Sequence, residues 1–310
     1  MTDERSGFSR RRFLRTLGLA PFVWGYANRL DAAAQSPITR PIPASGERLP
    51  VIGMGSWITF NVGDDVTARE QRVRVLQHFF ARGGAVIDSS PMYGSSEEVI
   101  GHCLRRIGGE TPRFSATKVW TWGRAFGQQQ MARSEQLWAT KGFDLMQIHN
   151  LLDWETHLPT LRERKAQGRI RYIGLTTSHG SRHTDLERIM RTEPIDFVQF
   201  TYNVVDREAE RRLLPLAAER GIAVIVNRPF QGGALFDRVA GQALPEWAGE
   251  IGCANWAQFL LKFIVSHPAV TCAIPATSRV DHMQENMGAL YGRLPDTALR
   301  QRMVRWVEAL

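Results

Sequence analysis

The chain predicts a single (β/α)₈ barrel of the α/β class. Three observations carry that expectation. Eight short runs rich in apolar and β-branched residues, at 51–55, 85–88, 113–119, 144–149, 171–176, 196–202, 222–226 and 270–275, recur along the sequence, each ended by a turn and most followed by a stretch with helical spacing. Regular alternation of strand and helix implies parallel strands joined by right-handed crossovers. The length outside a separable N-terminal arm, residues 35–310, matches one barrel of this kind. Finally, Gly53-Met54-Gly55 lacks the third glycine and the immediate helix that a doubly wound nucleotide-binding sheet places after its first strand.

In chain order, the arm comes first. Ser9-Arg10-Arg11-Arg12-Phe13-Leu14-Arg15 precedes a short, weakly apolar stretch and then the small residues Ala32-Ala33-Ala34. Paired arginines, a modest apolar region and an A-x-A pattern are similar to a bacterial twin-arginine (Tat) signal peptide over residues 1–34. Arg15, Thr16, Gly18 and Pro21 interrupt the apolar run, so no stable membrane span is expected. The resemblance implies passage through the Tat translocon to the periplasm. That route carries proteins that have already folded.

Residues 41–49 read as a turn-containing preface, a hairpin closing the floor of the barrel. Val73, Leu76, Phe79 and Phe80, and Leu213, Leu214, Leu216 and Ala217, show helical spacing, with Gly83 and Gly221 where C-terminal caps belong. Residues 294–310 read as an extra helix after the eighth unit. No linker or low-complexity tract divides 35–310, so one domain and a monomer are expected.

Composition narrows the function. The net charge of +8 invites a nucleic-acid reading, but six of the 39 basic residues lie within the first 34, and the remainder carries only +5 without a basic stripe interleaved with aromatics. No nucleic-acid partner is expected. Cys103, Cys253 and Cys272 have no metal-ligand or disulfide spacing, so neither a zinc site nor a disulfide framework is encoded.

Strand ends carry the chemistry, because in such a barrel they converge on one mouth. Asp88 ends the second strand, Lys118 the third and His149 the fourth, and Tyr93 follows Asp88 in Asp88-Ser89-Ser90-Pro91-Met92-Tyr93-Gly94. A phenol gives up its proton reluctantly at neutral pH unless a nearby cation favours the phenolate. Lys118 supplies such a cation, Asp88 is a carboxylate to accompany a buried ammonium, and His149 can hold a substrate oxygen. Together they make a proton donor beside an oxyanion site, as carbonyl reduction by hydride requires. Singly, each has a plain structural role; four at successive strand ends point to catalysis.

In order, type and spacing these four resemble the Asp, Tyr, Lys and His tetrad of the aldo-keto reductases. The likeness runs from Leu49-Pro50-Val51-Ile52-Gly53-Met54-Gly55 to Ile274-Pro275-Ala276-Thr277-Ser278-Arg279 and Gln284-Glu285-Asn286. It implies an NAD(P)H-dependent reductase of aldehydes or ketones with Tyr93 as general acid and a small carbonyl compound as substrate. NADPH is the expected cofactor, with NADH also compatible. By the same resemblance Thr176 and Gln199 hold the carboxamide of the nicotinamide; Gly55, Ser56, Trp57 and Asp88 lie near the ribose and reacting carbonyl; Asn227, Arg228, Pro229, Phe230 and Gly232 wrap the pyrophosphate; and Thr277, Arg279, Glu285 and Asn286 hold the adenosine end. Trp57, Trp120 and His149 are the expected substrate contacts. The chain departs from the family pattern at Asn227, where many members carry an aromatic residue, at Thr177, where many carry Asn, and at Ala276 and His282, where a lysine and an arginine are common. A second reading is an exported cofactor-bound sensor or accessory subunit with slow or no turnover, motivated by the want of a periplasmic NADPH supply.

Overall fold

Side chains alternate across a strand, and here that alternation builds two cores. The computed structural model describes residues 36–310 apart from 110, 179 and the side chain of 181; the expected signal peptide at 1–34 lies outside the described residues. The barrel strands are β3 (Met54–Gly55), β4 (Val86–Asp88), β5 (Phe114–Val119), β6 (Phe143–Ile148), β7 (Ile170–Thr176), β8 (Phe197–Thr201), β9 (Ala223–Asn227) and β10 (Cys272–Ala273), preceded by β1 (Thr39–Pro41) and β2 (Arg48–Pro50). The eight pair in sequential order and all are parallel. Parallel bridges Ile52↔Ala273 and Gly55↔Ala276 join the first strand to the last, closing the ring. The (β/α)₈ barrel expected from the sequence is therefore present.

Outside the strands lie α1 (Val66–Ala81), α2 (Ser96–Ile107), α3 (Arg124–Trp138), α4 (Trp154–Ala166), α5 (His183–Thr192), α6 (Leu213–Arg220), α7 (Ala234–Arg238), α8 (Trp256–Val265), α9 (Val280–Gly288) and α10 (Thr297–Glu308). Their apolar faces bury Val73, Leu76, Phe79, Leu213, Leu214 and Leu216 against the outward strand residues in one large core. Asp65, Asn255 and Asp296 cap α1, α8 and α10 by accepting backbone N–H groups two or three residues into each helix. Gly221 ends α6 in the left-handed conformation that glycine adopts without steric cost. α10 is the extra helix foreseen at 294–310.

A second, smaller core fills the barrel interior near its floor: Val86, Phe114, Ala116, Leu145, Tyr172, Phe197, Ala223, Ile225 and Cys272. The β1–β2 hairpin plugs this end with Ile42 and Leu49. It is tied to the barrel by the Tyr172 hydroxyl, 2.7 Å from both Ser45 Oγ and Glu47 Oε2. The hairpin foreseen over 41–49 is present, its strands extending slightly beyond that range.

Candidate active site

Two residues further along each strand, the same inward row changes from apolar to polar. Val86 is followed by Asp88, Phe114 and Ala116 by Lys118, Leu145 by Gln147, Phe197 by Gln199, and Ile225 by Asn227. Strand periodicity thus delivers the polar set to one end of a dry interior. Gly174 makes room for it: a Cβ there would stand 2.8 Å from Gln147 Cγ and 3.3 Å from Phe197 Cβ.

The ends of β4 and β5 form a fully buried ion pair. Lys118 Nζ donates to Asp88 Oδ2 at 2.5 Å and to the Ser89 carbonyl at 2.8 Å. Asp88 Oδ1 accepts from Gln147 Nε2 at 2.9 Å and Gln199 Nε2 at 3.0 Å, so both carboxylate oxygens are satisfied. Gln199 also donates to Gln147 Oε1 at 3.2 Å and receives Asn227 Nδ2 at 3.4 Å. Such a network is stable in a low-dielectric interior because its members are paired. Burial on its own would lower the Lys118 pKa; the Asp88 charge, with smaller help from Tyr93 and Glu97, outweighs it and raises the pKa above its ordinary value. The lysine stays an ammonium ion.

Tyr93 reaches this pair from the loop after β4. Ser56 Oγ donates to the Asp88 carbonyl at 3.0 Å and accepts from Ser89 Oγ at 2.9 Å, Tyr93 N donates to the Ser90 carbonyl at 3.0 Å, and Asn61 Oδ1 accepts from Ser95 N at 3.0 Å. The loop is pinned at both ends of its turn. Lys118 Nζ lies 5.4 Å from the centroid of the phenol ring, and the His149 ring stands edge-on to it at 5.7 Å between centroids. Burial pushes the Tyr93 pKa up, the Lys118 charge and hydrogen bond pull it back, and the net shift is upward. The phenol therefore rests in its protonated form while a cation waits to stabilise the phenolate that proton donation creates. That refines the simpler expectation that Lys118 makes Tyr93 a stronger acid at rest.

His149 opens a 3₁₀ turn, His149–Leu151, immediately after β6, rather than ending the strand. Asn150 N donates to Thr176 Oγ1 at 3.2 Å, which anchors the turn to β7. Burial and the neighbouring Lys118 charge press the imidazole pKa down to about 3, so the ring is neutral at working pH and donates through an N–H.

These groups line a pocket of about 420 Å³ at the mouth. Gly55, Ser56, Trp57, Asp88, Tyr93, His149, Gln199, Asn227, Arg228, Pro229, Phe230 and Gly232 all border it, so most of the sequence-predicted site residues share one cavity. Trp120 is not among its walls; its ring lies 6.4 Å from that of His149, partly exposed on the rim. Thr277 and Arg279 lie just before α9 and Glu285 and Asn286 in its second half, all outside the pocket wall. Thr277 Oγ1 accepts from Arg279 N at 3.1 Å, and the exposed Arg279 pairs with Asp281 at 3.0 Å through Nε. Thr176 ends β7, whereas Gln199 sits in the middle of β8 rather than at its end, and the side chains of both already bond within the protein. Thr177, noted from the sequence only as a departure, is buried with its hydroxyl unpartnered. Two consecutive threonines at a strand end were the available signal.

Comparison with known proteins gives a consistent picture. The sequence model of the Aldo/keto reductase family matches residues 51–301. Methylglyoxal reductase YeaE of Escherichia coli is 26% identical over 260 residues, covering 81% of this chain and 89% of the relative. A Klebsiella pneumoniae aldo/keto reductase crystallised with NADP and acetate superposes with a TM-score of 0.71 at 24% identity, over 84% of this chain and 93% of the other. A second Klebsiella pneumoniae structure, with NADPH, gives 0.72 at 22% identity over 87% and 95% of the respective chains.

Proposed function

The chain belongs to the aldo/keto reductase family, and from that premise we propose that it reduces an aldehyde or ketone with NADPH, Tyr93 acting as general acid. The observation that carries this reading is the placement of Tyr93 beside the buried Lys118 ammonium paired with Asp88 and beside a neutral His149, on the wall of an open pocket. The pocket also suits a nicotinamide nucleotide. Gln199 and Asn227 line it side by side and offer the amide donors and acceptors that a carboxamide would meet. Asn227 Nδ2 donates to the Thr177 carbonyl at 2.8 Å, which fixes that corner. In the loop after β9, Arg228, Gln231, Gly232 and Gly233 all have positive φ, and Arg228, Gly232 and Gly233 border the pocket, which puts a basic residue and backbone free of side chains where the pyrophosphate is expected.

NADPH, when bound, supplies the hydride. The protein's own part is to hold the substrate oxygen between the His149 N–H and the Tyr93 hydroxyl and to deliver a proton from Tyr93 Oη as negative charge grows on that oxygen. Lys118 stabilises the phenolate left behind, and Asp88 with its two glutamine partners holds Lys118 in place. Tyr93→Phe should bind NADPH as the parent does, by fluorescence titration, and lose roughly 10²–10⁴ in kcat. Wild-type turnover in that variant would eliminate Tyr93 as the acid. Tight NADPH binding by the parent without turnover across a panel of simple aldehydes would favour the sensor reading instead.

Residues 1–34 direct this reductase to the periplasm through the Tat translocon; the support is the order of paired arginines, apolar stretch and alanines in the sequence. A reporter fused to residues 1–40 should be exported, and changing Arg10 and Arg11 to Lys should block it.

A further inference from the structure

We propose that Ser90 is a positioning residue that fixes which nitrogen of His149 carries the proton. For its catalytic consequence this rests on the reductase reading; for its structural one it does not. Ser90 Oγ lies 2.8 Å from His149 Nδ1 and accepts the amide hydrogen of Met92 at 3.2 Å. Ser90 is fully buried and His149 is 4% exposed, so water does not compete freely for these atoms.

A serine hydroxyl has one proton to give and two lone pairs to offer. Met92 N–H takes one lone pair, and among the described residues Nδ1 is the acceptor within reach of the Ser90 proton. If Nδ1 carried hydrogen, it would donate to Ser90 and leave the hydroxyl proton buried without an acceptor, an arrangement that is disfavoured. Ser90 therefore donates, Nδ1 accepts, and the single ring proton sits on Nε2. With Nδ1 turned to Ser90 and the ring on the pocket wall, the Nε2 edge is the one left to meet a carbonyl oxygen. The opposite tautomer would present a lone pair there and repel that oxygen. The loop that carries Tyr93 thus also sets the proton of its partner: Ser90 orients the hydrogen-bond donor, and three residues later Tyr93 supplies the acid.

The experiment combines imidazole ¹⁵N–¹H correlation spectra with steady-state kinetics on the parent, Ser90→Ala and Ser90→Thr, with the His149 signals assigned by their loss in His149→Gln. In the parent and Ser90→Thr, Nε2 should be protonated and Nδ1 should show the shift of a hydrogen-bonded acceptor. In Ser90→Ala that shift should move toward the free value as both tautomers populate. With a carbonyl substrate and NADPH, kcat should fall about tenfold in Ser90→Ala and recover in Ser90→Thr, while the dissociation constant for NADPH is unchanged. A parent protonated at Nδ1, or a Ser90→Ala variant with parental shifts and kcat, would overturn the assignment. Should the parent reduce no carbonyl compound at all, the reductase reading fails, and the spectra still decide the tautomer.

Discussion

A neutral His149 makes a quantitative prediction about stability that is independent of turnover. In the folded protein its pKa is pressed from the ordinary 6.5 to about 3 by burial and by Lys118. In the unfolded chain it returns to the ordinary value. Below about pH 6.5 the unfolded state therefore binds a proton that the folded state refuses, and folding is penalised by about 1.4 kcal/mol for each pH unit. The contribution is complete above 6.5 and is lost as pH falls from there toward 3. Between about pH 7.5 and pH 5 the window spans some 1.5 units, which is about 2 kcal/mol. His149→Gln removes this titration while keeping a polar side chain. Denaturant unfolding of both proteins at both pH values isolates the term, because other titrating groups cancel in the double difference: the parent should lose about 2 kcal/mol more than the variant on acidification. Equal losses, or a greater loss in the variant, would mean that His149 is charged in the folded state, and the description of it as a neutral donor would be wrong.

Three further outcomes follow from the same geometry. Lys118→Met strands the buried Asp88 carboxylate and should lower stability by about 3–5 kcal/mol by denaturant unfolding; adding Asp88→Asn should recover much of that without restoring turnover. Thr177→Val replaces an unpartnered buried hydroxyl by a methyl of similar shape, so the protein should hold or gain about 1–3 kcal/mol in denaturant unfolding; a clear loss of stability would show that the hydroxyl is satisfied in the folded protein. Gly174→Ala forces a Cβ to 2.8 Å from Gln147 Cγ, and should cost about 1–3 kcal/mol and lower kcat by moving Gln147 off Asp88, readable by unfolding and steady-state assay.

The four strand-end residues illustrate what could be read before any coordinates. Asp88, Lys118 and His149 stand where polar residues follow apolar runs, and the parity that puts Val86 and Ala116 in the barrel interior puts Asp88 and Lys118 there as well. Tyr93 was legible because five residues is a short loop from a strand end. The roles of Gln147 and Ser90 were not. Gln147 sits mid-strand between apolar residues, and only the register that aligns it beside Lys118, with Gly174 leaving space, turns it into a partner of Asp88. Ser90 is one serine of a pair in a loop, and nothing local tells that its hydroxyl faces an imidazole 59 residues away.

The sequence by itself determined the class of fold, the order of its eight units, the plug and the extra helix, because periodicity, caps and turns are local properties of the chain. It also put Asp88, Lys118 and His149 at or beside the strand ends of one mouth, since polar residues that follow apolar strand runs are placed by strand parity. Only the tertiary structure decided the protonation states and the pairing within the site. Those depend on how much water is excluded and on which charge lies within a few ångströms, quantities that arise when β4, β5, β6 and the Tyr93 loop close around one another. Burial raises the phenol of Tyr93, empties His149 of its extra proton, and would discharge Lys118 if Asp88 were not beside it.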